Sequence, residues 1–492
     1  MSLRVLLDTK IFIDREDSQE VNQKLSKIIQ ILNKENYTIC VNENTKNDLI
    51  NDKHNHRKKR MLSKLKEYTI IKSQNYKKDN DYLSIIKQPK NKHDEIGAEL
   101  LHNLYTLNVN FLITEDKIIH KNAIKLNLEN NVFTINEFHE LINPKDNIHS
   151  PKLVMKTVDE LNSNDPIFDS LKEDYDEFDD WFKMIQEKHR PAFVYTHENN
   201  ELGAVLIYKE NEEEEIELKT KTLPKKKRLK IATLYVAESR NKIGESLLKN
   251  IFKKAIALNV DELYLTHFIK EDDVLVPFIE KYGFKLVGNN SRGEGVFIKN
   301  ITFDSTKNDI CDSNNAKIST ECYPFYLDDE RIDKYIVPIT PEYYYSLFDT
   351  TQKTIDDYLE NTFPEDLVQI NAIQKAYISK SSTNLDKGDL LVFYESNKQG
   401  LKEIGIVTDF LKSNNIDEIK ATIGKRSVFK EEELKEQINS LEGDSKLSVI
   451  LFNHMESVNI SYDILKDKID FNAPQTTQKF SEEKYQIIKE LI

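Results

Sequence analysis

Four aspartates stand where a shared site needs acids. Asp8 closes the run LRVLLD, Asp48 lies in VNENTKNDLI, Asp94 opens the helical pattern of NKHDEIGAELL, and Asp116 follows FLITE. Carboxylates converging in one cleft repel one another unless a hard divalent cation such as Mg²⁺ or Mn²⁺ neutralises them. An ion so held can activate water and stabilise charge developing on a scissile phosphate. A local reading competes with this one. Thr or Asp at a helix start accepts bonds from free backbone N–H groups and suits the positive end of the helix dipole.

For the acids to meet, they must sit at the carboxyl ends of parallel strands, where open α/β sheets place their sites. Residues 1–147 carry that pattern. LRVLLDT, YTICVN, NVNFLIT and ENNVFTI read as strands, and VNQKLSKIIQILNK, EIGAELLHNLYTL and NEFHELI as helices. Such alternation predicts a parallel sheet covered on both faces. The order of the acids, together with LLDTKIFI and FLITEDKIIHKNA, resembles the PIN-domain family of metal-dependent ribonucleases. The resemblance implies Asp8, Asp48, Asp94 and Asp116 as catalytic acids, with Asp8, Asp94 and Asp116 holding Mg²⁺ or Mn²⁺. Glu115 is an alternative to Asp116, and Thr114 a hydrogen-bonding partner for a carboxylate or phosphate. Family members often carry Glu where Asp48 stands. A fold of this kind that binds RNA without cutting it is the companion reading.

Turn formers at Asn143-Pro144-Lys145-Asp146 mark a boundary, and residues 151–301 form a second predicted domain. An acidic helical segment, LKEDYDEFDDWFKMI, precedes the hairpin strands PAFVYTHEN and ELGAVLIYKE. The strand LKIATLYVA then leads into a long amphipathic helix. IATLYVAESRNKIGESLL (231–248) resembles the acetyl-CoA-binding core of GNAT acetyltransferases, in which a helix N-terminus binds the pyrophosphate. The resemblance implies cofactor contacts from Val236, Arg240, Asn241, Lys242, Ile243, Gly244 and Glu245. Ser239 and Lys242 depart from the family loop pattern. VPFIEKYGFKLVG (276–288) matches the closing helix–strand motif, but Ile279 stands where the family often has a general-acid Tyr, and Tyr282 lies three residues on. The sequence does not identify the base; Glu294, in SRGEGVF, is one candidate, because an acid and glycines stand together near the final strand. A scaffold or CoA sensor is the non-catalytic alternative.

Residues 302–330 read as a polar linker, 331–470 as a third domain and 471–492 as a tail. AIQKAYISKSSTNLDKGDLLVFYES (372–396) and EIGIVTDF resemble the ASCH/PUA-like small barrels often linked to RNA. Lys380, Lys425 and Arg426 are candidate phosphate contacts, with Tyr377 or Tyr394 available for base stacking. The whole is thus expected to be an α/β and α+β multidomain protein: a PIN-like parallel α/β sheet, a GNAT-like mixed sheet with helices, and a small PUA-like β-barrel.

The net charge of −14 excludes indiscriminate coating of nucleic acid, so RNA binding must use local patches. KHNHRKKRMLSKLK (53–66) is acid-free and offers Lys58, Lys59 and Arg60. PKKKRLK (224–230) follows ENEEEEIE and reads better as one side of a charge-balanced hairpin. Three cysteines without zinc-finger spacing, and no apolar stretch of membrane-spanning length or signal-peptide pattern, predict a cytoplasmic protein that does not enter membranes. The expected function is a metal-dependent ribonuclease coupled to an acetyl-CoA-binding or acetyltransferase module, with RNA (tRNA among the options) and acetyl-CoA as partners. A toxin or phage-defence role suits that combination, and a homo-oligomer is open. The alternatives are an N-acetyltransferase of a protein or small amine with outer recognition modules, and a non-catalytic RNA-binding regulator.

Overall fold

Leu6, Cys40, Leu112 and Val132 enter one apolar layer, while Val5, Leu7, Val41, Phe111, Ile113 and Phe133 enter another. Strands send successive side chains to opposite faces, so this division means a sheet buried on both sides. The computed structural model of the chain describes residues 2–16, 22–50, 55–72, 75–142, 153–196, 201–237, 241–302, 314–348, 367–368, 372–397, 399–426 and 431–492. The sheet consists of β1 (Arg4–Leu7), β2 (Thr38–Asn42), β3 (Thr69–Ile71), β4 (Phe111–Ile113) and β5 (Val132–Phe133). All neighbours pair in parallel, in the order β3-β2-β1-β4-β5. The expected parallel sheet is present, with β3 as an additional strand. Strand order reverses between β1 and β4, the position at which open sheets form a crevice.

The chain divides into two compact units. The first comprises residues 1–147, 270–281 and 413–440; the second comprises 148–269, 282–412 and 441–492. Two short pieces of the expected second and third domains therefore belong with the first.

In the second unit the strands are β6 (Leu153–Thr157), β7 (Pro191–Thr196), β8 (Leu202–Glu212), β9 (Ile216–Glu217), β10 (Thr222–Leu223), β11 (Arg228–Val236), β12 (Glu262–His267), β13 (Lys285–Asn289) and β14 (Gly295–Asn300). They continue as β15 (Lys334–Ile339), β16 (Leu367–Val368), β17 (Gln374–Ser379), β18 (Leu390–Glu395), β19 (Gly400–Ser413), β20 (Leu447–Ile460) and β21 (Gln478–Phe480). A mixed sheet runs β13-β14-β12-β11-β8-β7-β6-β16, with β11 and β12 its parallel pair. The six strands β17-β20-β19-β18-β15-β21 form a second sheet. Barrel closure requires the outer strands to pair, and β17 and β21 do not, so among the described residues the expected barrel is an open sheet.

The expected linker is also partly folded. Helix Asn315–Glu321 lies within it, capped by the Asn314 side chain. Lys299 Nζ, buried beneath this helix, donates to Glu321 O at 2.9 Å and to Tyr282 O at 2.7 Å. Helix Asn241–Ala257, which buries Leu247, Leu248, Ile251 and Phe252, is tied to the six-stranded sheet by a buried polar chain. Lys249 Nζ donates to His454 Nδ1, His454 Nε2–H to Glu403 Oε2 at 2.6 Å, and Tyr344 OH to Glu403 Oε1 at 2.8 Å. Among the described residues no helix is long and apolar enough to cross a membrane.

Candidate active site

β11 pairs with β8 from Arg228 to Val236, but with β12 only from Arg228 to Ile231. An irregularity in the β8 register between Ile231 and Thr233 marks the point of departure, where a bulge adds local twist. The parallel pair therefore opens beyond Ile231. On its open side β11 has backbone N–H and C=O groups with no strand partner, which amides of an extended ligand can pair with. The helix beginning at Asn241 follows, and its N-terminus offers free N–H groups and the positive end of a dipole.

Of the expected cofactor residues, Val236 is half-buried at the end of β11, while Ile243, Gly244 and Glu245 are buried. Glu245 accepts a bond from Gln374 N at 3.1 Å, so its carboxylate is held inside the protein, and its backbone N–H falls within the helix's own i to i−4 bonding. Arg240 and the side chains of Asn241 and Lys242 lie outside the described residues. Ile279 is fully buried and cannot act as an acid, and the Tyr282 side chain is buried as well.

Glu294 lies beside the opening. Its Oε1 accepts from Tyr175 OH at 2.7 Å and Thr266 Oγ1 at 3.2 Å, and its Oε2 from Asn290 Nδ2 at 2.7 Å. A carboxylate has about four acceptor sites, so capacity for a water or an ammonium remains. Burial, reinforced by the bond to Glu294, pushes the Tyr175 hydroxyl above its ordinary range and keeps it a donor. Thr266, Asn290 and Glu294 line a cleft of about 440 Å³, with Trp181 and Ile185 from helix Phe178–Glu187 and Ala232 from β11. Glu294, expected as a candidate base, lines this cleft. Tyr175, Thr266 and Asn290 were not legible, because only folding brings these distant polar residues together.

In the first unit Asp8 and Asp116 follow the adjacent strands β1 and β4. Thr114 Oγ1 donates to Asp8 Oδ2 at 2.6 Å. Burial pushes the Asp8 carboxyl up, and the Asp116 charge adds to that effect against the bond from Thr114. Asp116 also caps helix Lys117–Lys125 through the N–H groups of Ile118 and Ile119, while His93 Nε2 lies 2.8 Å from its Oδ2. The local reading is therefore correct for Asp116, whose charge also reaches Asp8. Asp94 accepts from Lys90 N and Asn91 Nδ2 in its own turn. Glu115 accepts from Ile135 N at 2.8 Å and serves another helix. Asp48 is in helix Glu43–Ile50, and its side chain is not described. Among the described residues no three His, Cys, Asp or Glu side chains are grouped to hold a metal ion, so the expected ligand triad is not assembled.

The expected RNA contacts divide. Lys425 is half-buried and pairs with Glu137 at 2.7 Å, and buried Arg426 donates to Asn130 Oδ1 at 2.9 Å. Both belong to the core of the first unit, which corrects their assignment to an exposed barrel surface. Tyr377 and Tyr394 are buried too, and cannot stack on bases. Lys380 and Lys59 are exposed, Lys58 donates to Ile50 O, and the Arg60 side chain is not described. The hairpin reading of 224–230 is correct in part: β9 pairs with β10, Lys226 meets Glu262, and Lys227 donates to Leu258 O.

Residues 155–284 match the acetyltransferase (GNAT) family, so the chain contains a GNAT acetyltransferase domain. No curated protein matches. Among solved structures, an ASCH protein from Zymomonas mobilis shares 12% identity at a TM-score of 0.24, over 32% of this chain and 94% of that one. A putative GNAT-family acetyltransferase from Desulfovibrio desulfuricans shares 12% at 0.23, over 30% and 99%. The aminoglycoside 6'-N-acetyltransferase from Enterococcus faecium shares 17% at 0.22, over 30% and 98%. Likeness of this degree says nothing of activity.

Proposed function

We propose that the second unit transfers an acetyl group from acetyl-CoA to an amine, with Glu294 as general base. The observation that carries this reading is the opening of β11 from β12 beyond Ile231, with a helix N-terminus after β11 and a triply hydrogen-bonded carboxylate beside the opening. The first-turn backbone N–H groups from Asn241 to Ile243 would hold the pyrophosphate. When bound, acetyl-CoA supplies a thioester carbonyl activated toward amines. Glu294, directly or through one water, accepts the proton the amine loses as its nitrogen bonds to that carbon. The C–S bond breaks, and with Ile279 buried the leaving thiolate takes its proton from water. Calorimetry should show acetyl-CoA binding that Gly244→Glu abolishes by placing an anion against the pyrophosphate. Glu294→Gln should bind acetyl-CoA normally yet transfer about 10²-fold or more slowly. Absence of acetyl-CoA binding by the wild-type protein would sink the proposal.

A second reading belongs to the first unit. Asp8 and Asp116 at a strand-order reversal, with Asp8 pushed toward protonation, suit an oxygen-seeking divalent cation. This favours a PIN-like metal-dependent ribonuclease, in which Asp8 and Asp116 would hold Mg²⁺ or Mn²⁺ and the ion would supply Lewis acidity toward water and phosphate. Asp116→Asn should abolish Mn²⁺-dependent cleavage of labelled RNA. Undiminished cleavage by that variant, or in excess chelator, would remove the reading.

A further inference from the structure

The cleft that holds Glu294 is lined by cations on its other sides. Lys188 and Arg190 follow helix Phe178–Glu187, Lys209 is on β8, Lys230 is on β11, and Arg292 precedes Glu294. Against these five stand two lining carboxylates, Glu212 and Glu294. Glu212 is already satisfied: it pairs with Lys209 and accepts from Tyr264 OH at 3.0 Å. Burial raises its carboxyl, but these two partners and the Lys230 charge outweigh it and hold the group below its ordinary value. Arg292 reaches Glu177 at 3.8 Å, a pair exposed to water and weak for that reason. Lys188, Arg190 and Lys230 form no direct ion pair with a carboxylate among the described residues, although the Lys230 charge reaches Glu212 and helps to lower it. Lys230 Nζ rests over the Tyr264 ring, 5.6 Å from its centroid, which orients the ammonium without neutralising it.

Resting on the acetyltransferase reading, we infer that the acceptor is a small amine whose own scaffold carries a phosphate or carboxylate. Its amine would meet Glu294, whose three hydrogen bonds all come from neutral donors. Its anion would meet Lys230, Arg190 and Lys188. A site so divided recognises a molecule charged at both ends, and a cleft of about 440 Å³ suits a small molecule. The unpaired cations also act against the wrong acceptor, since a polyamine would face like charge without compensation.

Trp181 is the single tryptophan of the chain and lines this cleft, so its fluorescence reports occupancy without any chemistry. The experiment compares glucosamine 6-phosphate with glucosamine, glutamate with glutamine, and both pairs with spermidine. The phosphate pair and the carboxylate pair separate the two possible anions. Thioester consumption should favour the anionic member of at least one pair by about tenfold or more, the order expected for one charge-assisted contact. Lys230→Gln should narrow that gap and Lys230→Arg should restore it, with acetyl-CoA affinity unchanged in both. Equal or better turnover of the neutral amines or spermidine would overturn the inference, as would a gap unaffected by Lys230→Gln. If acetyl-CoA does not bind, the transfer reading falls separately, and Trp181 fluorescence still decides. Tighter binding of an anionic amine, lost in Lys230→Gln, supports the charged cleft; equal binding of both members refutes it.

Discussion

At the scale of single residues, the chain uses carboxylates in two distinct ways. Glu294 is gathered by three neutral donors beside an open cleft, which orients it while leaving it reachable. Glu403 is sealed inside, where His454 and Tyr344 fill its oxygens and chemistry has no access. Burial and the Lys249 ammonium push His454 down to about 3, so the folded state holds it neutral while the unfolded chain protonates near its ordinary value. Between those two values the unfolded state binds more protons, and stability must fall as pH falls. Burial raises Glu403, but its hydrogen bonds with His454 and Tyr344 outweigh burial and lower it, so protonation of Glu403 adds to the loss at the acid end. Urea midpoints measured from pH 7 to pH 4 should therefore decline. In His454→Gln the protein should be less stable at pH 7, and its decline over this range shallower. A midpoint independent of pH in the wild type would contradict the buried neutral histidine.

At the scale of elements, regular periodicity was legible and long-range capture was not. β1, β2, β4 and β5 follow from apolar runs, and the parallel order from their alternation with helices. β3 hides in EYTIIKS, a run too short and too polar at its ends to distinguish from a loop. The site followed the same rule: Asp8, Asp116, Gly244 and Glu294 were visible as types in context, whereas Thr266, Asn290 and the cleft cations depend on strand register. Lys425 and Arg426 misled because a basic pair in a turn looks exposed, yet a buried Glu137 and Asn130 sit 288 and 296 residues earlier in the chain. Polar composition likewise made 302–330 look like a linker. Gly283 shows how firmly part of it is held, because its φ of +86° favours glycine and an added Cβ would lie 1.9 Å from Glu321 O. Gly283→Ala should cost at least about 2 kcal/mol from backbone strain and the displaced helix end. Denaturant unfolding measures this, and a loss under about 0.5 kcal/mol, the size of an ordinary surface substitution, would mean that 314–330 is loosely attached.

At the scale of the whole molecule, charge decides how RNA could be held. A chain carrying −14 repels polyanions on average, so any affinity must come from places where cations outnumber acids and are free to meet phosphate. Folding removes several candidates. Lys425 is half-buried and paired with Glu137, Arg426 is buried, Lys226 is paired with Glu262, Lys227 is bonded to Leu258 O, and Arg228 is buried against Glu262 at 2.8 Å. Helix Asn55–Lys64 keeps an acid-free sequence with Lys59 exposed, and Lys380 is exposed on the second unit. Each phosphate contact made by a cation releases condensed counterions, so neutralising a contact lowers both affinity and its dependence on salt. Replacing Lys58, Lys59 and Arg60 together by Gln should weaken RNA binding and flatten the plot of log affinity against log salt by up to about two to three units of slope. Replacing Lys225, Lys226 and Lys227 should change that slope by less than about one unit, because two of the three are held by protein groups. Filter binding from 50 to 200 mM salt reads both quantities at once. Equal slope changes from the two triple substitutions would show that the charge acts diffusely, and the helix Asn55–Lys64 would then be an ordinary solvated face.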